Sequence, residues 1–215
     1  NQGEIPSRFY GNNGNLLLRD IDDDGLITFY DLNHATRSNT APFSLTVAGF
    51  ENGPNAEFVE DLDLNGNGYV DALDILASPL WADGRDTDGN SEVDDFFGVN
   101  FRDGVRNNPN DGQGHGTHVA GTIGAVGGNG LGVTGINWVT SLMPLRILDN
   151  SNQGDTGAAI RAINYAKSMR ERYRINDDGR VADGANVRVL NNSWGQPGGE
   201  EGRHAAGHRP SHRQC

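Results

Sequence analysis

Two stretches of the chain place oxygen-bearing side chains at alternate positions of a twelve-residue loop. In residues 20–31 (loop 1) and 63–74 (loop 2), such side chains stand at positions 1, 3, 5, 9 and 12, with glycine at position 6. Calcium binds about six to eight oxygens, and a chain that wraps around an ion directs alternate side chains towards it. The predicted ligands are Asp20, Asp22, Asp24, Leu26, Thr28 and Asp31 in loop 1, and Asp63, Asn65, Asn67, Tyr69, Asp71 and Asp74 in loop 2, with Leu26 and Tyr69 offering backbone carbonyls.

Both loops resemble the calcium loops of dockerins. An EF-hand usually carries Glu at position 12, whereas these loops carry the shorter Asp31 and Asp74. Gly25 and Gly68 suit a sharp turn at positive φ. Without a cation the carboxylates gathered around loop 1 would repel one another, so we expect calcium in both loops. A solvated turn rich in Asp, Asn and Gly is the alternative.

Residues 86–97 (loop 3) form a weaker third copy of the same spacing. The early oxygen positions are kept, but Phe97 stands at position 12, where Asp95 could substitute. We also predict this loop to bind calcium. Its candidate ligands are Asp86, Asp88, Asn90, Glu92 and Asp94.

Charge is distributed unevenly along the chain. Residues 1–111 hold 21 acidic and 6 basic side chains, a net charge of −15, whereas residues 112–215 have a net charge of +3. The acidic half would repel nucleic acid and anionic lipid, which leaves a cation as its expected partner. No stretch approaches the roughly 18 apolar residues of a membrane span. The single cysteine excludes an intrachain disulfide and a cysteine-based zinc site. We expect a monomer that binds neither nucleic acid nor membranes.

Small residues surround two histidines in residues 111–125. Gly114 and Gly116 leave the His115 ring unshielded at the start of a predicted helix, and Gly121, Thr122 and Gly124 would let that helix lie close to a sheet. His115 and His118 could together bind zinc from one helix face, but neither the Glu of a His-Glu-x-x-His site nor a third ligand is nearby. We expect a structural role for His118.

The remaining apolar patterns predict an α/β fold. Residues 141–148 and 187–191 read as strands, and residues 156–174 read as a helix capped by Asp155 or Thr156. Together they predict a right-handed βαβ unit in a mostly parallel sheet with helices on both faces. Residues 69–81 predict a short helix or turn that ends at Pro79.

Residues 114–122, Gly-His-Gly-Thr-His-Val-Ala-Gly-Thr, resemble the histidine motif of subtilisin-like serine proteases. Residues 190–195, Leu-Asn-Asn-Ser-Trp-Gly, are similar to the family's substrate-pairing strand. The resemblance implies a partial subtilisin-like, doubly wound parallel sheet, with residues 9–85 as an irregular calcium-loop insertion. It also implies that His115 is the general base of a Ser-His-Asp mechanism acting on a polypeptide, whose extended chain would pair with Ser193, Trp194 and Gly195.

The chain departs from the family pattern at the other two triad residues. Residues 86–89, Asp-Thr-Asp-Gly, imitate the spelling around the catalytic aspartate but follow no apolar strand, and no Gly-Thr-Ser turn follows Ser193. Residues 200–215 lack apolar periodicity and are expected to be a disordered tail. We interpret the chain as a fragment of a secreted or cell-surface endopeptidase, inactive by itself. Its predicted parts are a calcium-loop segment with the insertion (1–103), a partial catalytic core (104–199) and the tail (200–215).

A calcium-dependent, dockerin-like protein-binding module is the alternative function. The loops favour it. The first positions of loops 1 and 2 are 43 residues apart, however, whereas dockerin repeats lie close together, and a protease-like core follows directly.

Overall fold

The computed structural model describes residues 5, 9–12, 16–21, 23, 25–33, 55, 62–66, 70–128, 132–177, 179 and 181–195. The predicted ligands Asp22, Asp24, Asn67 and Tyr69 lie outside these residues, as does the predicted tail over residues 200–215.

Two short helices follow the acidic loops. Helix α1 spans Phe29–Asn33, and helix α2 spans Ala72–Ala77. Asp71 caps α2 by accepting hydrogen bonds from the N–H groups of Leu73 and Asp74, while the Asp74 side chain bonds back to the Asp71 N–H. Helix α2 ends at Ala77, and its C-cap Ser78 lies directly before Pro79, which confirms the predicted stop.

The acidic half has its own hydrophobic core. Apolar side chains from both loops and from α2 meet around Trp81, whose ring lies 4.5 Å from that of Phe9 between centroids. Phe96 lies edge-on to Trp81, with ring centroids 6.3 Å apart. The buried members of this first core are Ile5, Phe9, Leu18, Ile27, Leu32, Leu62, Val70, Ile75, Trp81 and Phe96.

A parallel pair of strands connects the two halves of the chain. Strand β1 (Val99–Asn100) pairs with strand β2 (Leu145–Arg146), and helix α3 (His115–Gly124) lies between them in the sequence. The 141–148 segment thus pairs in parallel, as predicted, but its partner is β1. The predicted βαβ unit, in which residues 187–191 supply the second strand after the 156–174 helix, is therefore wrong.

The predicted strand over residues 187–191 is wrong. These residues carry no strand, Val187 donates its N–H to the nearby Ala185 carbonyl at 2.8 Å, and Val189 is 81% exposed. A strand needs a neighbouring backbone to satisfy its N–H and C=O groups, and no described strand lies against this segment. The apolar composition of the segment is compatible both with a strand and with an irregular conformation.

Helix α4 spans Thr156–Arg172, two residues shorter than predicted, and Asp155 is its N-cap. Ile160 and Ile163 of this helix are exposed, although their spacing is typical of a buried helix face. The buried face is built mostly from alanines, which let the helix approach closely. With Val99 and Phe101 it forms a second core around Ala158, Ala162, Tyr165 and Met169.

An antiparallel hairpin that the pattern did not predict follows α4. Strand β3 (Arg174–Ile175) pairs with strand β4 (Val181–Asp183). Gly179 has a φ of +87° in the connecting turn, and its N–H donates to the Asn176 carbonyl at 3.0 Å. A two-residue strand is too short for its alternation to be recognised from sequence.

Helix α3 contacts a loop, where the sequence predicted a sheet. None of its ten residues is buried, and its C-terminal turn bonds to residues 135–137 through three backbone hydrogen bonds of 2.8–3.0 Å. Gly124 is needed for this approach, because an added Cβ would collide with the Thr140 methyl group. A Cβ on Gly121 would meet nothing within 4 Å, so the predicted need for a small residue there is wrong.

No helix within the described ranges is long and apolar enough to cross a membrane.

Candidate functional site

His115 is the first residue of α3, and its side chain is exposed. Gly114, the N-cap, has a φ of +100°, a left-handed conformation that favours glycine. Gly116 follows, so no side chain on either neighbour covers the imidazole. His118, one turn further along the helix, is also exposed and donates its N–H to the Gly114 carbonyl at 2.9 Å. An exposed imidazole at a helix start is accessible to a hydroxyl group that needs a proton acceptor.

Asp111 holds the turn from which His115 projects. Its Oδ1 accepts hydrogen bonds from the N–H groups of Gln113 at 3.0 Å and Gly114 at 2.8 Å, and its Oδ2 accepts from Thr117 N–H at 2.7 Å. Partial burial raises the pKa of Asp111, but the bonds from Thr117, Gly114 and Gln113 lower it more, so the pKa lies well below its usual value. The carboxylate is therefore ionised at the positive end of the helix dipole.

The Asp111 turn is fixed to the end of strand β2. A Cβ added to Gly112 would lie 2.7 Å from Asn150 Cγ, so the backbone runs directly over the Asn150 side chain. The Asn150 Oδ1 atom accepts a hydrogen bond of 2.9 Å from Arg146, the last residue of β2. The carboxyl end of a parallel strand is a common place for functional residues, and here it supports the loop that leads to His115.

The predicted substrate-binding residues lie in an exposed segment without regular structure. Ser193 Oγ accepts a hydrogen bond of 2.8 Å from Asn191, and the Trp194 indole donates to Asn192 Oδ1 at 3.3 Å. Trp194 is 43% exposed, and Gly195 has open space where a Cβ would lie. The segment can therefore be approached by an extended chain.

The Asp86 carboxylate is used within its own loop. Its oxygens accept the N–H groups of Asn90 at 3.0 Å and Ser91 at 2.8 Å, and the described residues directly before it, 70–85, carry no strand. This placement agrees with a loop residue and offers no support for Asp86 as a triad aspartate.

Loops 1 and 2 share one hydrogen-bond pattern at position 12. In loop 1, Asp31 accepts the N–H groups of Ile21 (position 2) at 2.6 Å and Thr28 (position 9) at 2.7 Å. In loop 2, Asp74 accepts those of Leu64 (position 2) and Asp71 (position 9), both at 2.9 Å. Asp31 and Asp74 are 0% and 1% exposed. Each carboxylate thus fastens the two ends of its loop together.

Loops 1 and 3 share the turn at position 6. Asp20 Oδ2 accepts the Gly25 N–H at 2.8 Å, and Asp86 Oδ2 accepts the Ser91 N–H at the same distance. Gly25 has a φ of +85° and Ser91 a φ of +76°. Ser91 adopts a conformation that glycine adopts without strain. This turn of loop 3 is therefore less favourable than the same turn of loop 1, where Gly25 stands.

Two buried asparagines make long-range contacts with the backbone of loops 1 and 2. Asn33, at the end of α1, donates to the Val70 carbonyl at 2.9 Å and accepts the Val70 N–H at 2.8 Å. Asn55 bonds in the same two-way manner to the backbone of Arg19, and also donates to the Asp31 carbonyl at 2.9 Å. Neither role could be predicted from the sequence, because a contact over 36 or 37 positions leaves no local pattern.

Loop 3 is bound to α4 through both its side chains and its backbone. Asn90 donates to the carboxylates of Asp88 and Asp95, and the buried Tyr165 hydroxyl also donates to Asp95. Arg172 donates to the carbonyl groups of Asp88 and Gly89.

The later positions of loop 3 turn to partners outside the loop. Glu92 pairs with Arg106, and Asp94 accepts the Gly84 N–H at 3.0 Å. Phe97, at position 12, stacks on Phe29 with centroids 5.2 Å apart. Calcium binding by loop 3 stays a prediction.

Metal ligands do not form a complete cluster among the described residues. Within that part of the chain, no three side chains of His, Cys, Asp or Glu converge closely enough to hold a metal ion. Since Asp22, Asp24, Asn67 and Tyr69 fall outside it, the ligand sets of loops 1 and 2 remain predictions.

Comparison with known families agrees with the His115 motif. The sequence model of the subtilase family, peptidase S8, matches residues 21–214. The chain belongs to the subtilase family. The match extends upstream of loop 3 and covers all of loop 2 and residues 21–31 of loop 1.

Individual subtilases match shorter parts of the chain. Subtilisin-like protease 1 of Plasmodium berghei is 36% identical over 103 residues, which cover 48% of this chain and 16% of that protein. The cell wall-associated protease of Bacillus subtilis is 46% identical over 70 residues, covering 33% and 8%. Thermitase of Thermoactinomyces vulgaris is 33% identical over 87 residues, covering 40% and 31%. The matched part therefore covers less than a third of each relative's length.

Proposed function

We propose that this chain is part of a secreted subtilisin-like serine endopeptidase and that His115 is its general base. The observation that carries the proposal is the exposed imidazole at the glycine-flanked start of α3, in a chain of the subtilase family. In such a mechanism the imidazole takes the proton of a serine hydroxyl as the serine attacks a peptide carbonyl. It then returns a proton to the leaving amine.

The polypeptide substrate would lie along residues 190–195. An extended peptide gains affinity from backbone hydrogen bonds to an exposed edge, and the side chains beside that edge select its residues. The exposed positions of Ser193, Trp194 and Gly195 support this role. Trp194 would provide an apolar wall for one substrate side chain.

The 215 residues of the chain supply the general base but neither the serine nor the aspartate with which it usually acts. The sequence has no Gly-Thr-Ser turn after Ser193, and Asp86 is engaged within loop 3. Because a base without a nucleophile cannot form an acyl-enzyme, we expect the 215 residues alone to be inactive. The serine and the aspartate would come from other parts of a longer protein.

Calcium is the proposed structural ion of loops 1 and 2. The donor groups are all oxygens, Gly25 makes the predicted turn at positive φ, and the two loops share the same bonds at position 12. The residues that would hold the ions are the loop 1 and loop 2 ligands named above. A bound ion would neutralise the gathered carboxylates and stabilise the folded state.

An extracellular location is part of the proposal. Calcium is abundant outside cells, where loops that end in Asp and bind weakly can be filled. One of the relatives is named a cell wall-associated protease. Both points favour a secreted or surface-bound enzyme.

The test begins with the gene that encodes the chain. We expect an apolar strand ending in Asp-Thr-Gly or Asp-Ser-Gly upstream, and a Gly-Thr-Ser turn downstream. The complete product should hydrolyse casein, His115→Ala should abolish hydrolysis, and the matched control His118→Ala should retain it. Casein hydrolysis that survives His115→Ala would overturn the general-base assignment. Turnover by the 215 residues alone, lost in His115→Ala, would overturn the expectation that they are inactive.

A further inference from the structure

We propose that Asp111 is the positioning residue that orders the first turn of α3 and thereby sets the place of the His115 imidazole. The catalytic meaning of this role rests on the proposed function of His115. The contacts themselves are independent of it, because they join Asp111 to Gln113, Gly114 and Thr117 and do not involve the His115 ring.

The N-cap residue of α3 cannot order the first turn of the helix with a side chain. Gly114 has no side chain, so it leaves the first N–H groups of the helix without the usual side-chain acceptor. Asp111, three residues earlier, supplies that acceptor from outside the helix by bonding to Thr117 N–H, in the third helical position. Glycine at the cap keeps the imidazole uncovered, and Asp111 restores the stability that glycine lacks.

The geometry of Asp111 limits how far the turn can move. Its two oxygens bond to different parts of the turn, Oδ1 to Gln113 and Gly114 before His115, and Oδ2 to Thr117 after it. The His115 backbone is thus held on both sides by one carboxylate. A Cβ on Gly116 would lie 3.5 Å from Asp111 Oδ2, so the carboxylate fits directly against the helix backbone at this glycine.

The other end of the contact is fixed as well. Gly112 lies against Asn150, and Asn150 is bonded to Arg146 at the end of β2. The Asp111 turn therefore connects the end of β2 to the start of α3. Helix α3 has no buried residue that could fix its N-terminal turn by packing.

Amide hydrogen exchange of the 215-residue chain, measured by NMR, tests the proposal. In Asp111→Ala we expect exchange at Gly114 and Thr117 to become at least about tenfold faster, while exchange in α4 is unchanged. Asp111→Asn keeps one acceptor oxygen, so it should preserve the protection of Gly114 and lose that of Thr117. The matched control is Asp155→Ala, which removes the cap of α4 and should speed exchange at Ala158 while Thr117 keeps its rate.

Two further readouts separate positioning from general stabilisation. The Thr117 amide shift should titrate with the Asp111 carboxyl group, below the usual carboxyl range, and this titration should vanish in Asp111→Asn. The ring resonances of His115 should move in Asp111→Ala by more than those of His118. Unchanged Thr117 exchange, a uniform rise across the chain, or an unmoved His115 ring would each overturn the proposal. None of these measurements needs hydrolysis, so failure of the proposed protease function would be seen separately, in the casein assay.

Discussion

Asp31 and Asp74 lie 43 residues apart and make the same contacts. Each is buried, ends a twelve-residue loop, and accepts the backbone N–H groups of the second and ninth residues of that loop. The shorter Asp at position 12 thus has a structural reason in this chain. It closes each loop on itself, whether the remaining oxygens are directed at an ion or at water.

Replacing either closing aspartate should destabilise the acidic half. In Asp31→Asn and in Asp74→Asn one buried oxygen becomes an NH₂ group that faces a backbone N–H, which costs about 1–3 kcal/mol. Urea denaturation measures the change in the free energy of unfolding. Asp177→Asn, at an exposed position, is the control. Midpoints equal to that of the unaltered protein would contradict the closing role.

Removing calcium should lower the melting temperature. An ion that binds only the folded state stabilises it by about 2.7 kcal/mol at a hundred times its dissociation constant. Thermal unfolding with calcium and with EGTA measures the difference, which Asp20→Ala should reduce because Asp20 is a predicted ligand of loop 1. A melting curve that is the same with calcium and with EGTA would reject structural calcium.

Replacement of glycine by alanine should have opposite effects on the free energy of unfolding at two positions, one within helix α3 and one in the loop that contacts it. A Cβ on Gly135 would lie 2.7 Å from Gly124 Cα and against the Ala125 nitrogen, so Gly135→Ala should cost about 1–3 kcal/mol. Gly121 lies within α3 with open space around it, so Gly121→Ala should stabilise the chain by about 1 kcal/mol. Denaturation curves of the two variants check the signs. A stabilising Gly135→Ala would show that this loop does not approach the helix so closely.

Tyr165 should make the protein less stable at alkaline pH. Burial, and then the Asp95 carboxylate, raise the pKa of Tyr165 above its usual value, so the folded chain keeps the proton that the unfolded chain loses above about pH 10. The folded state then binds more protons than the unfolded state, and stability falls as the pH rises through this range, by about 1.4 kcal/mol per pH unit.

Urea denaturation between pH 9 and pH 11 tests the role of Tyr165. Tyr165→Phe should reduce the slope of stability against pH and lower stability at neutral pH, since Asp95 loses a donor. Tyr173→Phe, which leaves the Asp95 network intact, serves as the control. An unchanged slope in Tyr165→Phe would mean that another group causes the alkaline loss.

Local patterns predicted the features that depend on neighbouring residues. Asp155 caps α4, Gly25 turns at positive φ, and α2 stops before Pro79, because each of these effects acts within one turn of the chain. The exposed place of His115 follows in the same way from its flanking glycines. Family membership also follows from a local run of residues around His115.

Contacts between residues far apart in the sequence could not be predicted from local patterns. The partner of the 141–148 segment is strand β1, and residues 187–191 form no strand, although both segments have the apolar composition of strands. The bonds from Asn33 to Val70 and from Tyr165 to Asp95 connect residues 37 and 70 positions apart. Spacing along the chain carries no information about such pairs.

The sequence by itself determined the chemistry that this protein carries: oxygen-rich loops in an acidic half, and an unshielded imidazole at the start of a helix. Only the tertiary structure decided what holds these groups. It assigned the buried Asp31 and Asp74 to closing their loops and Asp111 to the turn before His115. The reason is physical, since residue type sets what a side chain can donate or accept, whereas its partner depends on which backbone groups the fold brings within about 3 Å.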